Sequence, residues 1–220
     1  MKKNYCFFVV LFILSMAVYA QSGVIKELAG TVEIKDSGAA SFVAARQGDT
    51  VSENTIISTG FRSSALIELG SASITVRPLT RLSLAEIRSS AGTETLNLTL
   101  QAGRIKVDVK PAAGIKTLAT VQSSVATAAV RGTSFEMDTR KLRVLEGTVG
   151  YRGNNGVLLN VPAGLSSTAK ANGVITNPYE GIREGLPPSA PVGYDRSGAS
   201  SGRGGFAPGG VTLGIYIVSW

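Results

Sequence analysis

The chain has 220 residues, 44% hydrophobic and 17% charged, with 26 glycines and no histidine. That is a globular, turn-rich composition long enough for one sizeable core, and the missing histidine excludes His-based triads, His general acids and His-ligated zinc. The net charge of +7, from 22 Lys+Arg against 15 Asp+Glu, favours anionic surfaces through weak, salt-screened attraction or simply keeps the protein soluble.

Residues 1–20, "MKKNYCFFVVLFILSMAVYA", place Lys2 and Lys3 before an apolar run and close on Val18-Tyr19-Ala20. A basic start, a short apolar stretch and a small-residue end predict a secretory signal peptide, cleaved near Gln21. The competing reading is a retained anchor, but a bilayer span needs about 20 apolar residues. Cleavage removes Cys6, the only cysteine, and with it any disulfide, thiol nucleophile or Cys-held metal. It also removes Lys2 and Lys3, leaving 20 basic against 15 acidic residues, a net +5. The expected location is periplasmic or otherwise in the cell envelope, with no integral membrane span after cleavage.

From Val24 to Tyr151 short alternating runs follow one another. "TVEI", residues 31–34, is the first clear one. In "ALIELGSASITV", Ala65, Ile67 and Leu69 share one side, and Ile74 and Val76 follow a Gly70-Ser71 turn, which predicts a hairpin. "RLSLAEIRSS", residues 81–90, is the one helical candidate, but its Leu82, Leu84 and Ile87 fit a strand followed by a bend as well, and it is read as a strand. "LNLTL" sets Leu96, Leu98 and Leu100 against Asn97 and Thr99. After Ala102-Gly103, "RIKVDVK" sets Ile105, Val107 and Val109 against Arg104, Lys106, Asp108 and Lys110. Period two gives each strand one dry and one wet face. "LRVLEGTVGY", residues 142–151, reads likewise, with a turn or bulge at Glu146-Gly147.

Turn signals every 8 to 12 residues or so mark a sandwich, barrel or solenoid. The expected fold is all-β: a two-layer antiparallel sandwich or a short solenoid-like domain over residues 21–178. Residues 179–210 are Gly/Pro/Ser-rich and read as a linker or disordered tail. Residues 211–220, "VTLGIYIVSW", form a β-prone aromatic end.

Two groups of side chains offer chemistry. Glu33, Asp36, Asp49, Glu53, Glu68, Asp108, Glu136 and Asp138 could pair for glycoside hydrolysis, although no aromatic cluster brackets any pair. Arg104, Lys106 and Lys110 project from one strand face, with Asp108 among them, as an anionic-partner contact or a solvated face. "GRGG", residues 202–205, lacks the strand, helix and lysine of a phosphate loop. No aromatic platform supports nucleic-acid binding. No cofactor, metal site or catalytic residue is expected.

Three stretches, in this order, resemble the FecR domain. They are "GDTVSENTIISTGFRSSALIELGSASITVRPLTRLSL", carrying Gly48, Asp49 and Gly60; "LNLTLQAGRIKVDV", carrying Gly103; and "VATAAVRGTSFEMD…LRVLEGTVGY", carrying Arg131, Gly132, Thr133, Glu146 and Gly147. The resemblance covers residues 28–152 and implies an exported, β-rich domain like that of regulators of iron-dicitrate uptake. Those regulators place a sigma-factor-binding segment and a membrane span before this domain; here the signal peptide precedes it directly, so the regulatory role is not carried over. Gly132 is expected to supply a turn or bulge, with Phe135 and Met137 turned inward beyond it. Arg131 is expected at a strand end, either pinning carbonyls or a carboxylate such as Glu146, or contacting a ligand. The expected function is a non-enzymatic binding module of the cell envelope, for a protein or polysaccharide, contributing to signalling or envelope assembly. The alternatives are a structural protein self-associating through its tail, and a carbohydrate-active enzyme.

Overall fold

The structure, a computed structural model, describes residues 22–90, 92–110 and 113–180. The expected signal peptide, the tail from residue 181 onward and the 211–220 segment lie outside the described residues. Along the described chain come β1 (Gly23–Ala29), β2 (Val32–Lys35), β3 (Val43–Ala44), β4 (Thr50–Val51), β5 (Ile56–Thr59) and β6 (Ser64–Leu69). They are followed by β7 (Ala72–Val76), β8 (Arg81–Ser90), β9 (Thr93–Ala102), β10 (Arg104–Val109), β11 (Lys116–Gln122) and β12 (Ala126–Val130). The last are β13 (Ser134–Asp138), β14 (Lys141–Glu146), β15 (Thr148–Gly153), β16 (Leu158–Pro162) and β17 (Ser166–Thr168).

The strands form two sheets. One has eight strands in the order β17-β14-β13-β10-β7-β6-β1-β4; the other has nine in the order β16-β15-β12-β11-β9-β8-β5-β2-β3. From β5 onward the chain advances monotonically across both sheets, laying a hairpin or a single strand in one and then crossing to the other. The all-β, two-layer expectation is borne out, as are the β6–β7 hairpin, with Ile67 opposite Ile74, and the strand at residues 81–90. One pairing departs from the antiparallel pattern. β9 and β11 run parallel, from Lys116 opposite Thr93 to Gln122 opposite Thr99. They are separated in sequence by β10 in the opposite sheet, so the chain re-enters in its former direction.

Alternation explains where the core lies. Ile25, Ile67, Ile74, Ile105, Val107, Phe135 and Met137 from one sheet, and Ile57, Leu82, Leu84, Leu98, Leu100 and Tyr151 from the other, are buried in one apolar cluster. Each large side chain removed from water contributes about 1.5–3 kcal/mol before the entropy cost of folding.

At each crossing between sheets among the described residues, one residue has positive φ. These are Gly30, Gly48, Asn54, Arg62, Leu79, Gly103, Gly114, Gly132, Gly147 and Gly164. A chain leaving one layer must turn sharply toward the other, and a left-handed residue accomplishes that within a few positions. The stretch at residues 131–133 is therefore a corner: β12 ends in the nine-stranded sheet, Gly132 turns with φ of 64°, and β13 begins in the eight-stranded sheet. Thr133 is buried beside this corner, just before β13 rather than within it.

Candidate functional site: a charged face of the eight-stranded sheet

With apolar side chains turned inward, the intervening residues of β7, β10, β13 and β14 face outward, and register sets their neighbours. Thr75 lies opposite Lys106, Lys106 opposite Glu136, Glu136 opposite Arg143 and Arg143 opposite Ser166. One step along the strands, Arg104 lies opposite Asp138, and Lys141 opposite Thr168. The face is striped: Arg104 and Lys106, followed by Asp108, on β10, an acidic column on β13 and a basic one on β14. Hydroxyl groups of β7 and β17 lie on either side. Neighbouring columns are about 4.8 Å apart, and successive outward residues about 7 Å apart.

The acidic column is already engaged. Arg77 Nη2 donates to Glu136 Oε1 at 3.0 Å. Asp138 Oδ1 accepts the amide hydrogens of Arg140 and Lys141 at 2.8 and 2.7 Å, closing the β13–β14 hairpin. Its other oxygen lies 3.6 Å from Arg104 Nη2. Among the described residues no ion pair forms to Lys106, Lys141 or Arg143, so the free charge on this face is positive. An open groove of about 650 Å³ runs past Arg77, Pro78, Leu79, Arg104, Glu136 and Asp138. A smaller dent of about 120 Å³ adjoins it at Arg104, Glu136, Asp138, Lys141 and Arg143.

The groove is framed by the corner at residues 77–80. Leu79 is 61% exposed and holds a φ of 56°, a conformation bulky residues rarely adopt. Its amide donates to the Gly60 carbonyl at 3.2 Å, joining two adjacent corners. Beside it, Phe61 is 73% exposed, with the Arg62 guanidinium 5.5 Å from its ring centre.

The residues picked out in the sequence fall in different places. Arg104 lies in the groove and Lys106 on the same face, whereas Lys110 sits beyond the strand end, 3.9 Å from Asp108. Gly48 and Asp49 belong to the crossing into β4, where Asp49 Oδ2 accepts the Arg46 amide hydrogen at 2.7 Å. The Gly60 amide donates to the Thr31 carbonyl at 2.9 Å. Gly103, Gly132 and Gly147 occupy corners. Arg131 is exposed and Glu146 lies opposite Ser134; among the described residues no hydrogen bond or ion pair links them. Phe135 and Met137 are fully buried, as expected. Arg77, Lys141 and Arg143 went unselected. Their outward alternation is visible in the sequence, but strand order, which brings β14 beside β13, is not.

Among the described residues no group of three or more Asp, Glu, His or Cys side chains is placed to hold a metal ion, and no helix is long and apolar enough to cross a membrane. Fold and face together define an all-β domain of two sheets with a striped, charged outer surface. Residues 55–150 match the family model described as FecR protein, and the resemblance read from the sequence is borne out there. No match is found among the curated proteins. Two crystal structures of a candidate anti-sigma factor from Parabacteroides distasonis ATCC 8503 are similar, each with 14% identity, a TM-score of 0.45, and 58% of this chain and 62% of that chain covered. The match thus spans less than two thirds of that protein.

Proposed function

We propose that this protein is a non-enzymatic binding module of the cell envelope, exported by its leader, whose outward face on the eight-stranded sheet docks an envelope partner. The observation that carries the reading is the state of the carboxylates. Glu136 and Asp138, the two acidic groups beside the groove, are held by Arg77, Arg104 and two backbone amides. Groups engaged in this way supply electrostatic pattern rather than acid–base chemistry, which needs a carboxyl free to meet the reacting atom. The uncommitted charge belongs to Lys106, Lys141 and Arg143, spread over a face as a docking surface requires.

The test is crosslinking in the protein's own envelope, followed by purification of the full chain. The reading expects a partner crosslinked through β10 and β14. Crosslinks confined to copies of the same chain, and lost on removing residues 181–220, would instead support a self-assembling structural protein. Hydrolysis of an envelope glycan that is abolished by Glu136→Gln would establish an enzyme.

A further inference from the structure

Resting on that reading, we infer that the partner is a linear anionic glycan, laid across β10, β13 and β14 with its acidic groups on Lys106, Lys141 and Arg143. Three observations select it. First, the charge is complementary to an anion. Both carboxylates of β13 already have partners, while these three cations have none within ion-pair distance among the described residues.

Second, the cations do not converge. Lys106 and Arg143 flank Glu136 from opposite strands, about 10 Å apart across two strand spacings, and Lys141 lies about 7 Å from Arg143 along β14. A small anion is gripped by convergent donors, whereas a repeating chain reaches separated charges and gains from binding several at once.

Third, the surroundings are hydroxyl-bearing. Ser73 and Thr75 lie on β7 opposite Asp108 and Lys106, and Ser166 and Thr168 lie on β17 opposite Arg143 and Lys141. They offer a sugar's hydroxyl groups both donors and acceptors. An acidic peptide fits less well. Strand addition requires a free edge, and β10, β13 and β14 each have neighbours on both sides. Nucleic acid would need bases stacked on aromatic rings, which these strands do not place on this face.

The probe is sodium polygalacturonate, with poly-L-glutamate as the peptide polyanion, titrated into the full secreted chain by calorimetry. The wild type is expected to bind polygalacturonate more tightly than poly-L-glutamate. The triple variant Lys106→Gln, Lys141→Gln, Arg143→Gln should bind about tenfold more weakly, the combined effect of three modest exposed contacts. A charge-matched triple on the other sheet, Lys35→Gln, Lys116→Gln, Arg152→Gln, should bind within about twofold of wild type. Glu136→Gln, which removes a negative charge between two of the cations, should tighten binding a few-fold.

Equal weakening by both triples would reduce the effect to net charge and overturn the inference. So would equal affinity for poly-L-glutamate, or no binding of polygalacturonate. An envelope crosslink through β10 and β14 that persists in the Lys106, Lys141, Arg143 variant would sink the glycan inference while leaving the docking reading intact. Binding of polygalacturonate at this face without any envelope crosslink would do the reverse.

Discussion

Thr80 Oγ1 accepts the amide hydrogen of Arg104 at 3.0 Å and lies 3.1 Å from the Arg104 carbonyl, to which its hydroxyl can donate. One buried hydroxyl thus ties the crossing into β8 to the crossing into β10, and sets where Arg104 enters the groove. Gly103 lies between, at φ of 83°. A Cβ there would meet the Thr80 Cα at 2.5 Å and the Leu79 carbonyl oxygen at 2.6 Å. Gly103→Ala therefore adds a backbone collision to an unfavourable dihedral, and should cost at least about 2 kcal/mol. For a domain of this size that lowers Tm by roughly 4–8 °C. Thermal unfolding followed by circular dichroism measures it, and an unchanged Tm would show that this corner relaxes freely.

Leu79 presents the opposite case, a side chain at a dihedral better suited to glycine or asparagine. It is mostly exposed, so little packing compensates for its φ of 56°. Leu79→Asn keeps the amide that donates to Gly60 and replaces leucine with a residue that tolerates left-handed geometry. The expected gain is about 1 kcal/mol, or some 2–4 °C in Tm by calorimetry. A comparable fall in Tm would mean that the leucine packs against its surroundings.

These corners show how far the sequence could be read. Period two in residues such as Leu96, Leu98 and Leu100, or Ile105, Val107 and Val109, is a local signal, because water is excluded from one face only. It correctly marked strands and their buried sides. A glycine between two such runs marks a change of direction but not its kind. Gly70 closes a hairpin within one sheet, whereas Gly103 and Gly132 carry the chain to the other. The candidate site depends on that difference. Arg104 and Lys106 were recognisable on their own strand, but Arg77, Glu136, Asp138 and Arg143 become their neighbours only through strand order. Contacts of this kind join residues as far apart as Arg77, just past the end of β7, and Glu136 on β13, 59 positions away.

Tyr151 gives the fold a pH limit. Its ring is fully buried and its hydroxyl donates to the Arg140 carbonyl at 2.7 Å. Burial, reinforced by the negative charge of Asp138, pushes the phenol well above its ordinary value of 10.0, against a smaller opposing effect from the Ala169 backbone. The folded state therefore holds this proton more tightly than the unfolded chain. Its contribution is complete below about pH 10 and is lost progressively as pH rises toward the folded value. Tyr151→Phe should cost about 1 kcal/mol near neutral pH, from the lost hydroxyl hydrogen bond; the Arg140 carbonyl keeps its other donor, the Ala169 amide at 2.7 Å. The substitution should also flatten the decline in stability above pH 10. Urea unfolding across an alkaline series tests this; parallel declines in the two proteins would locate the sensitive group elsewhere.

The corner at residues 131–133 separates what shapes the fold from what faces solvent. Arg131 is exposed and has no ion pair or side-chain hydrogen bond among the described residues, so Arg131→Ala should change stability by less than about 0.5 kcal/mol. Gly132 turns the chain with φ of 64°, and Gly132→Ala should cost about 1–3 kcal/mol. The Thr133 carbonyl accepts the Val109 amide hydrogen at 2.9 Å, but its buried Oγ1 has no hydrogen-bond partner. Replacing that hydroxyl with a methyl group of similar shape removes an unpaired polar atom, so Thr133→Val should be neutral or stabilise by up to about 1 kcal/mol. The expected order of stability is Thr133→Val at or above wild type, Arg131→Ala level with it, and Gly132→Ala well below. A loss in Arg131→Ala as large as that in Gly132→Ala would make the arginine a structural member of the corner.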